Sequence, residues 1–226
     1  MNLIKQKKRG SLIIISGTTC AGKGTVIKEL LKKNENLVLS TSYTSRSIRK
    51  GDIEDVTYYF VSREKFEEKI KNDEFLEYAL VHGNYYGTPK KEIENLLSDG
   101  KDVILEIEVQ GAKIVKEKLP ETVLIFVLAP SMEEVKKRII ARGSETKEQI
   151  ITRFKTAYQE INEIPKYNYV VINDIVSSAV KKIESILISE KCRVDRIEEI
   201  SVENKEEFMH ELLMEKSFDN SYKEIK

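Results

Sequence analysis

Between an apolar run at 12–16 and a helical spacing of Val26, Ile27, Leu30 and Leu31 stands the string Gly17-Thr18-Thr19-Cys20-Ala21-Gly22-Lys23-Gly24-Thr25. It reads as strand, glycine loop and helix, and it matches Gly-x4-Gly-Lys in the setting that a phosphate-cradling loop requires. Such a loop turns backbone N–H groups inward around a polyphosphate. Glycine permits the positive φ this needs, and the following helix adds its positive end. Lys23 then supplies a mobile positive charge to the β and γ phosphates. Gly24 stands where the usual motif has the Ser or Thr that binds Mg²⁺, and a hydroxyl arrives one residue later at Thr25. The ion is therefore expected to be held mainly by phosphate oxygens and, through water, by carboxylates.

The strand-and-helix alternation continues along the chain. Apolar runs at 103–107, 123–128 and 169–172 read as buried strands, with helices over 110–118 and 175–188. A helix follows Ser131, with Glu134 three residues on, and its stripe is Met132, Val135 and Ile139. Another follows Thr146, with Gln149 in the same relation, and its stripe is Ile150, Phe154, Ala157 and Ile161. This predicts an α/β fold, a phosphate-loop parallel sheet core flanked by helices. Residues 42–88 differ in texture. Tyrosine-rich β-type segments at 57–61 and 76–81 enclose a charged helix over 64–71, which reads as an inserted mixed α+β subdomain. The predicted organisation is a core of 10–41 and 89–190, a helical lid over about 132–162, the insert at 42–88, and a charged tail at 191–226 that turns helical around 205–216.

Composition narrows the partners. Thirty-eight basic residues balance thirty-eight acidic ones among 226, so no net field favours nucleic acid or an anionic membrane. Two isolated cysteines, Cys20 and Cys192, read as free thiols in a reducing cytoplasm. No run reaches the ~18 apolar residues of a membrane span, and the N-terminus has no signal-peptide pattern.

Three carboxylates stand where apolar residues are expected. Glu106 and Glu108 alternate along the strand run from 103, near the end at which open α/β sheets bind ligands. On a surface edge they would simply face solvent. Glu77 interrupts the alternating stretch of Phe75, Ala79 and Val81 in the same manner, and as an edge carboxylate it too would be ordinary. Thr88 and Pro89 read as the N-cap and first residue of a helix.

Taken with Ser42-Tyr43-Thr44-Ser45-Arg46-Ser47-Ile48-Arg49-Lys50-Gly51-Asp52, Tyr58-Tyr59-Phe60 and Gly83-Asn84-Tyr85-Tyr86-Gly87-Thr88-Pro89, the phosphate loop makes residues 10 to 190 resemble the guanylate kinase family. The resemblance implies transfer of the γ-phosphoryl group of ATP to GMP, with Mg²⁺ accompanying ATP. It implies that Arg46, Arg49, Tyr58 and Tyr86 grip the GMP phosphate, chemistry that paired guanidiniums and phenols suit. Thr88 is implied to lie near the base, and Glu77, Ser42 and Glu108 to read guanine through its N1–H and N2–H donors. Adenine would leave such an acceptor unpaired. Glu106, with Thr25, is assigned to the metal shell.

The family pattern further makes Arg138, Arg142 and Arg153 a mobile lid over the transferring phosphoryl, although Glu134 is also placed to pair with Arg138. Asn173 and Asp174 match positions near adenine. ATP contacts then run from Gly17 to Thr25 and include Asn173, and catalysis falls to Lys23, Arg46, Arg138, Arg142 and Arg153. Thr18, Thr19 and Cys20 replace the family's usual Pro-Ser-Gly, so a left-handed Cys20 would cost about 1 kcal/mol or more. Glu106 and Glu108 stand where the family often has Asp. The expected protein is a soluble monomer or homodimer with ATP and GMP as its partners. Two rival readings are a guanylate-kinase-like binding module, which typically loses the loop lysine, and a kinase for another phosphorylated acceptor such as a ribose phosphate. The latter has no use for a guanine-reading carboxylate.

Overall fold

The computed structural model of the protein describes residues 4–49, 51–81, 83–141 and 147–200, together with residues 210 and 214. Residues 8–188 make one compact unit. In the other unit β1 (Ile4–Gln6) pairs antiparallel with a late strand, Ile197–Ile200.

In the larger unit the apolar run before the glycine string is β2 (Leu12–Gly17), with every residue buried. It leads into α1 (Lys23–Lys33) and then β3 (Leu37–Leu39). Farther along come α3 (Lys90–Ser98), β8 (Asp102–Leu105), α4 (Val109–Lys118), β9 (Val123–Leu128), β10 (Tyr169–Ile172) and α7 (Val176–Lys191). The sheet runs β10-β9-β2-β8-β3 and is parallel throughout. Side chains of a strand alternate between faces, and β2 separates two cores on that period. Ile13 and Ile15 pack with Val26, Ile27 and Leu30 of α1 and Ala179 and Ile183 of α7. Leu12 and Ile14 pack with Ile93 and Leu97 of α3 and Ala112 and Val115 of α4. Helices thus cover both faces, as all-parallel sheets require.

The inserted stretch builds a second, mixed sheet in the order β5-β4-β7-β6 from β4 (Tyr43–Thr44), β5 (Tyr59–Phe60), β6 (Phe75–Val81) and β7 (Asn84–Pro89). Between β5 and β6 lies α2 (Arg63–Lys71), whose N-cap Ser62 accepts the Lys65 N–H. Phe66 of α2 is fully buried and stacks on Phe75 and Tyr85 at 4.5 and 5.1 Å. The two remaining helices, α5 (Met132–Ala141) and α6 (Lys147–Ile161), share a small core of Val135, Ile139 and Ala157. Ser131 caps α5 by accepting the Glu134 N–H at 3.1 Å, as the spacing predicts.

Several expectations need correction. The strand from 103 stops at Leu105, because its pairing with β2 ends at Ile14↔Leu105. Glu106 therefore follows the strand, and Glu108 is the N-cap of α4. Thr88 is not a helix cap: it pairs with Glu77 inside β7, and Pro89 itself takes the N-cap position of α3. The segment over 57–61 contributes only Tyr59–Phe60 as strand. Ile150, Phe154 and Ile161 are half-buried, whereas Ala157 is fully buried. Arg142, Thr146 and the tail helix expected around 205–216 lie outside the described residues, the isolated residues 210 and 214 apart. Among the described residues, no helix is long and apolar enough to cross a membrane.

Candidate active site

At the C-terminal end of β2 the glycine string turns into α1, and Gly22 is its left-handed N-cap at φ 84°. A Cβ there would sit 2.6 Å from Asn173 Nδ2. Cys20 adopts φ 59°, a conformation that costs a side-chain-bearing residue about 1 kcal/mol. The turn is fastened from several directions. Ala21 N donates to Thr18 O at 3.1 Å, and Ala21 O accepts from Asn173 Nδ2 at 2.8 Å and from Arg138 Nη1 at 3.4 Å. Lys23 Nζ lies back on the loop, donating to Gly17 O at 2.7 Å and Thr18 O at 3.3 Å. Gly24 and Thr25 are exposed on the first turn of α1.

The helices α5 and α6 flank this loop. Arg138 is held by Glu134 at 2.9 Å and also donates to Asn173 O at 3.2 Å. Arg153 Nη1 reaches Thr19 Oγ1 at 3.4 Å. Asp174 instead spends its carboxylate on the Ile175 N–H and is exposed.

A cleft of about 340 Å³ opens beside the loop, lined by Lys23, Ser42, Tyr58, Glu77, Tyr86, Glu106, Glu108 and Gly111, among others. Residues far apart in the chain thus converge on one cavity. Glu77 is 5 % exposed and accepts from Thr88 Oγ1. Burial pushes its carboxyl above the ordinary range, opposed by that hydrogen bond and by the charge of Lys118. Gly111 makes room for it, since a Cβ there would stand 2.7 Å from Glu77 Oε2.

Arg46 lies behind the lining, buried, with Nη1 2.8 Å from Asp52 Oδ2 and its guanidinium 5.3 Å from the Tyr58 ring centre. Tyr58 and Tyr86 meet edge to face at 5.7 Å. Arg49 is exposed, and its backbone N–H donates to Asp52 Oδ2 at 2.7 Å. Of the predicted acceptor set, Arg46, Arg49 and Thr88 do not line the cleft, whereas Ser42, Tyr58, Glu77, Tyr86 and Glu108 do.

Glu106 sits at the end of β8, its oxygens 3.8 and 3.9 Å from where a Gly24 Cβ would be. Burial raises its carboxyl pKa, Lys23 lowers it and Glu108 raises it again. A further carboxylate, Glu160 of α6, is 9 % exposed and accepts the Thr19 N–H at 3.2 Å. Burial and the neighbouring Glu108 push it up to about 7. Sequence reasoning missed it, although a charged residue three after Ala157, on the buried stripe of a helix, was a readable signal.

Because the folded pKa of Glu160 lies above the ordinary 4.5, the fold favours the neutral carboxyl. The resulting stabilisation is fully present below pH 4.5 and is lost as the pH rises through about 7. Glu160→Gln is therefore expected to gain stability relative to the unsubstituted chain, by roughly 2 kcal/mol, between pH 5 and pH 8. Urea denaturation across that range measures it, and parallel curves for the two proteins would contradict it.

The family model described as guanylate kinase matches residues 9–190. A guanylate kinase of Clostridium perfringens is 56 % identical over 213 residues, spanning 94 % of this chain and 99 % of that protein. One from Clostridium tetani is 57 % identical over 206 residues, spanning 91 % and 99 %. Among solved structures, the guanylate kinase from Anaplasma phagocytophilum superimposes with a TM-score of 0.72 at 34 % identity, covering 85 % of this chain and 92 % of that one.

Proposed function

Since this chain belongs to the guanylate kinase family, and is accordingly an ATP:GMP phosphotransferase, we propose that the cleft between the glycine loop and the small sheet seats both nucleotides for in-line transfer. The observation that carries this assignment is that Lys23 shares one cavity with Glu77, Tyr58 and Tyr86. ATP binds along Gly17, Thr18, Thr19, Cys20, Ala21, Gly22, Lys23, Gly24 and Thr25, with Asn173 behind the loop. GMP lies against the small sheet, so 42–88 is the acceptor-gripping part and about 132–162 the lid.

Glu77 accepts from guanine N1–H and N2–H, with Ser42, Thr88 and Glu108 around the base. Arg46, Tyr58 and Tyr86 take the phosphate. Arg46 is suited to it because Asp52 and the Tyr58 ring hold the guanidinium in place beforehand. Arg49 joins from its exposed position once the dianion is present.

Two anionic substrates repel each other, and the protein's main task is to oppose that repulsion while aligning them. Lys23 leaves its loop carbonyls for the ATP phosphates, and Arg138 and Arg153, with Arg142, bring positive charge from the lid. Closing the lid excludes water that would otherwise hydrolyse ATP. The attacking phosphate oxygen is already anionic, so no catalytic base is needed.

The donor set suits a hydrated Mg²⁺. Glu106 offers a hard oxygen beside the start of α1, Gly24 offers no hydroxyl, and no group of three or more acidic, His or Cys side chains able to hold a metal ion occurs among the described residues. Glu106, with Thr25, would hold the ion through water, and the ion would there supply positive charge against the phosphates. Cys20 and Cys192 form no disulfide with each other, and a reducing, cytoplasmic setting suits them.

A coupled assay of ADP formation with GMP, AMP, UMP and ribose 5-phosphate as acceptors tests the assignment. GMP is expected to be strongly preferred, and equal turnover of the four would refute the guanine-reading role of Glu77.

Gly111→Ala probes the same pocket from α4. Alanine gains about 1 kcal/mol of helix propensity, yet its Cβ must push away the Glu77 carboxylate 2.7 Å distant. KM for GMP is expected to rise about tenfold, by loss of one charge-assisted hydrogen bond, while KM for ATP stays put. An unchanged KM for GMP would show that Glu77 accommodates the methyl group without leaving its place.

A further inference from the structure

None of the roles assigned above involves Glu160, and its position is unlike that of the other lid residues. It lies in the last turn of α6, buried, with Oε2 on the Thr19 N–H of the glycine loop at 3.2 Å. Its carboxyl group also neighbours that of Glu108, the N-cap residue of α4, which lines the cleft. About two turns earlier on the same helix, Arg153 Nη1 meets the Thr19 side chain at 3.4 Å. One residue of the loop is thereby grasped twice from α6, through its backbone and through its hydroxyl.

Burying a carboxyl group is costly unless its hydrogen bonds repay the lost hydration. A purely structural contact between α6 and the loop would be made more cheaply by an apolar side chain. What the carboxyl group adds is direction. Thr19 precedes Cys20, whose left-handed φ of 59° persists only while its surroundings enforce it. Fixing the Thr19 N–H fixes the peptide plane that enters this turn.

Resting on the reading of Gly17–Lys23 as the ATP loop and of Glu108 as an acceptor contact, we propose that Glu160 is a positioning residue for phosphoryl transfer. It holds the Thr19–Cys20 turn on the donor side and Glu108 on the acceptor side through one carboxyl group. Loop geometry and acceptor seat are then set together, and each nucleotide's affinity depends on the other's presence.

Glu160→Met keeps the volume and removes the hydrogen bond to Thr19 and the polar contact with Glu108. Glu160→Gln keeps an acceptor for Thr19 and a donor for Glu108. The Met variant is expected to raise KM for ATP and KM for GMP by about tenfold each. In calorimetric titrations, the factor by which a non-hydrolysable ATP analogue tightens GMP binding should fall to about one, while the Gln variant retains most of it. Should the Met variant not fold, Glu160→Asp, one methylene too short to reach both partners, is expected to shift both KM values in the same sense.

Unchanged KM values with only a lower melting temperature would overturn the inference. So would a Gln variant as impaired as Met, or an unsubstituted protein whose GMP affinity ignores the ATP analogue. Lys23→Ala, measured alongside, separates the two levels. If it binds the analogue normally, the loop reading itself fails; if it loses the analogue while Glu160→Met behaves as unsubstituted protein, only the role of Glu160 fails.

Discussion

Lys23→Ala is expected to lower kcat/KM for phosphoryl transfer by about three orders of magnitude or more, with the fold intact. The size follows from removing a preorganised positive group from the phosphates at the moment their charge is redistributed. The intact fold follows from what Lys23 does in the ligand-free chain. Its ammonium rests on the carbonyls of Gly17 and Thr18 at 2.7 and 3.3 Å and is not a core contact. A cation at the first residue of a helix also opposes the helix dipole, so alanine there costs little. Steady-state kinetics with circular dichroism checks both halves. A variant retaining a tenth of the activity would mean that the charge reaches the phosphates from elsewhere.

The second large effect is expected at Glu77. Glu77→Gln keeps the shape and replaces one carboxylate oxygen by an NH₂ group. That group is a donor facing guanine's own N1–H and N2–H donors. Sites built to hydrogen-bond a substrate discriminate by about 10⁴ against mismatched partners, and a loss in kcat/KM for GMP of about 10² to 10⁴ is expected, with KM for ATP unaffected. Because burial raises the Glu77 pKa, acidification protonates what is, on the proposed assignment, the acceptor for guanine. KM for GMP should therefore climb as the pH falls through that raised pKa, beyond any contribution from the GMP phosphate. The Gln variant should show only the phosphate contribution, and identical pH profiles for the two proteins would remove Glu77 from base recognition.

What could be read from the sequence was whatever repeats on a short period or sits in a fixed string. The all-apolar β2, the glycine turn and the capped start of α5 each announce themselves locally, and Val123–Leu128 and Tyr169–Ile172 form strands where the apolar runs stand. β7 escaped notice because Asn84, Gly87 and Pro89 are turn formers. It is a strand by virtue of partners on both sides, β6 and β4, and tertiary pairing outweighs propensity. The strand reading of Glu106 and Glu108 failed for the opposite reason: alternation in sequence ran on after the sheet's pairing had stopped at Leu105.

Motif strings named the cleft residues but not their supports. Asp52 holding Arg46, and Gly111 yielding space to Glu77, are relations between distant elements, and neither leaves a periodic trace.

The left-handed turn at Cys20 is kept in shape by groups lying more than a hundred residues downstream, Arg138 and Asn173 on the Ala21 carbonyl and Glu160 on the Thr19 amide. The glycine string is accordingly not a portable cassette. Grafted onto another strand–helix junction without that scaffolding, the same residues would relax toward a gentler bend, and the anion cradle would be lost although every letter of the motif remained.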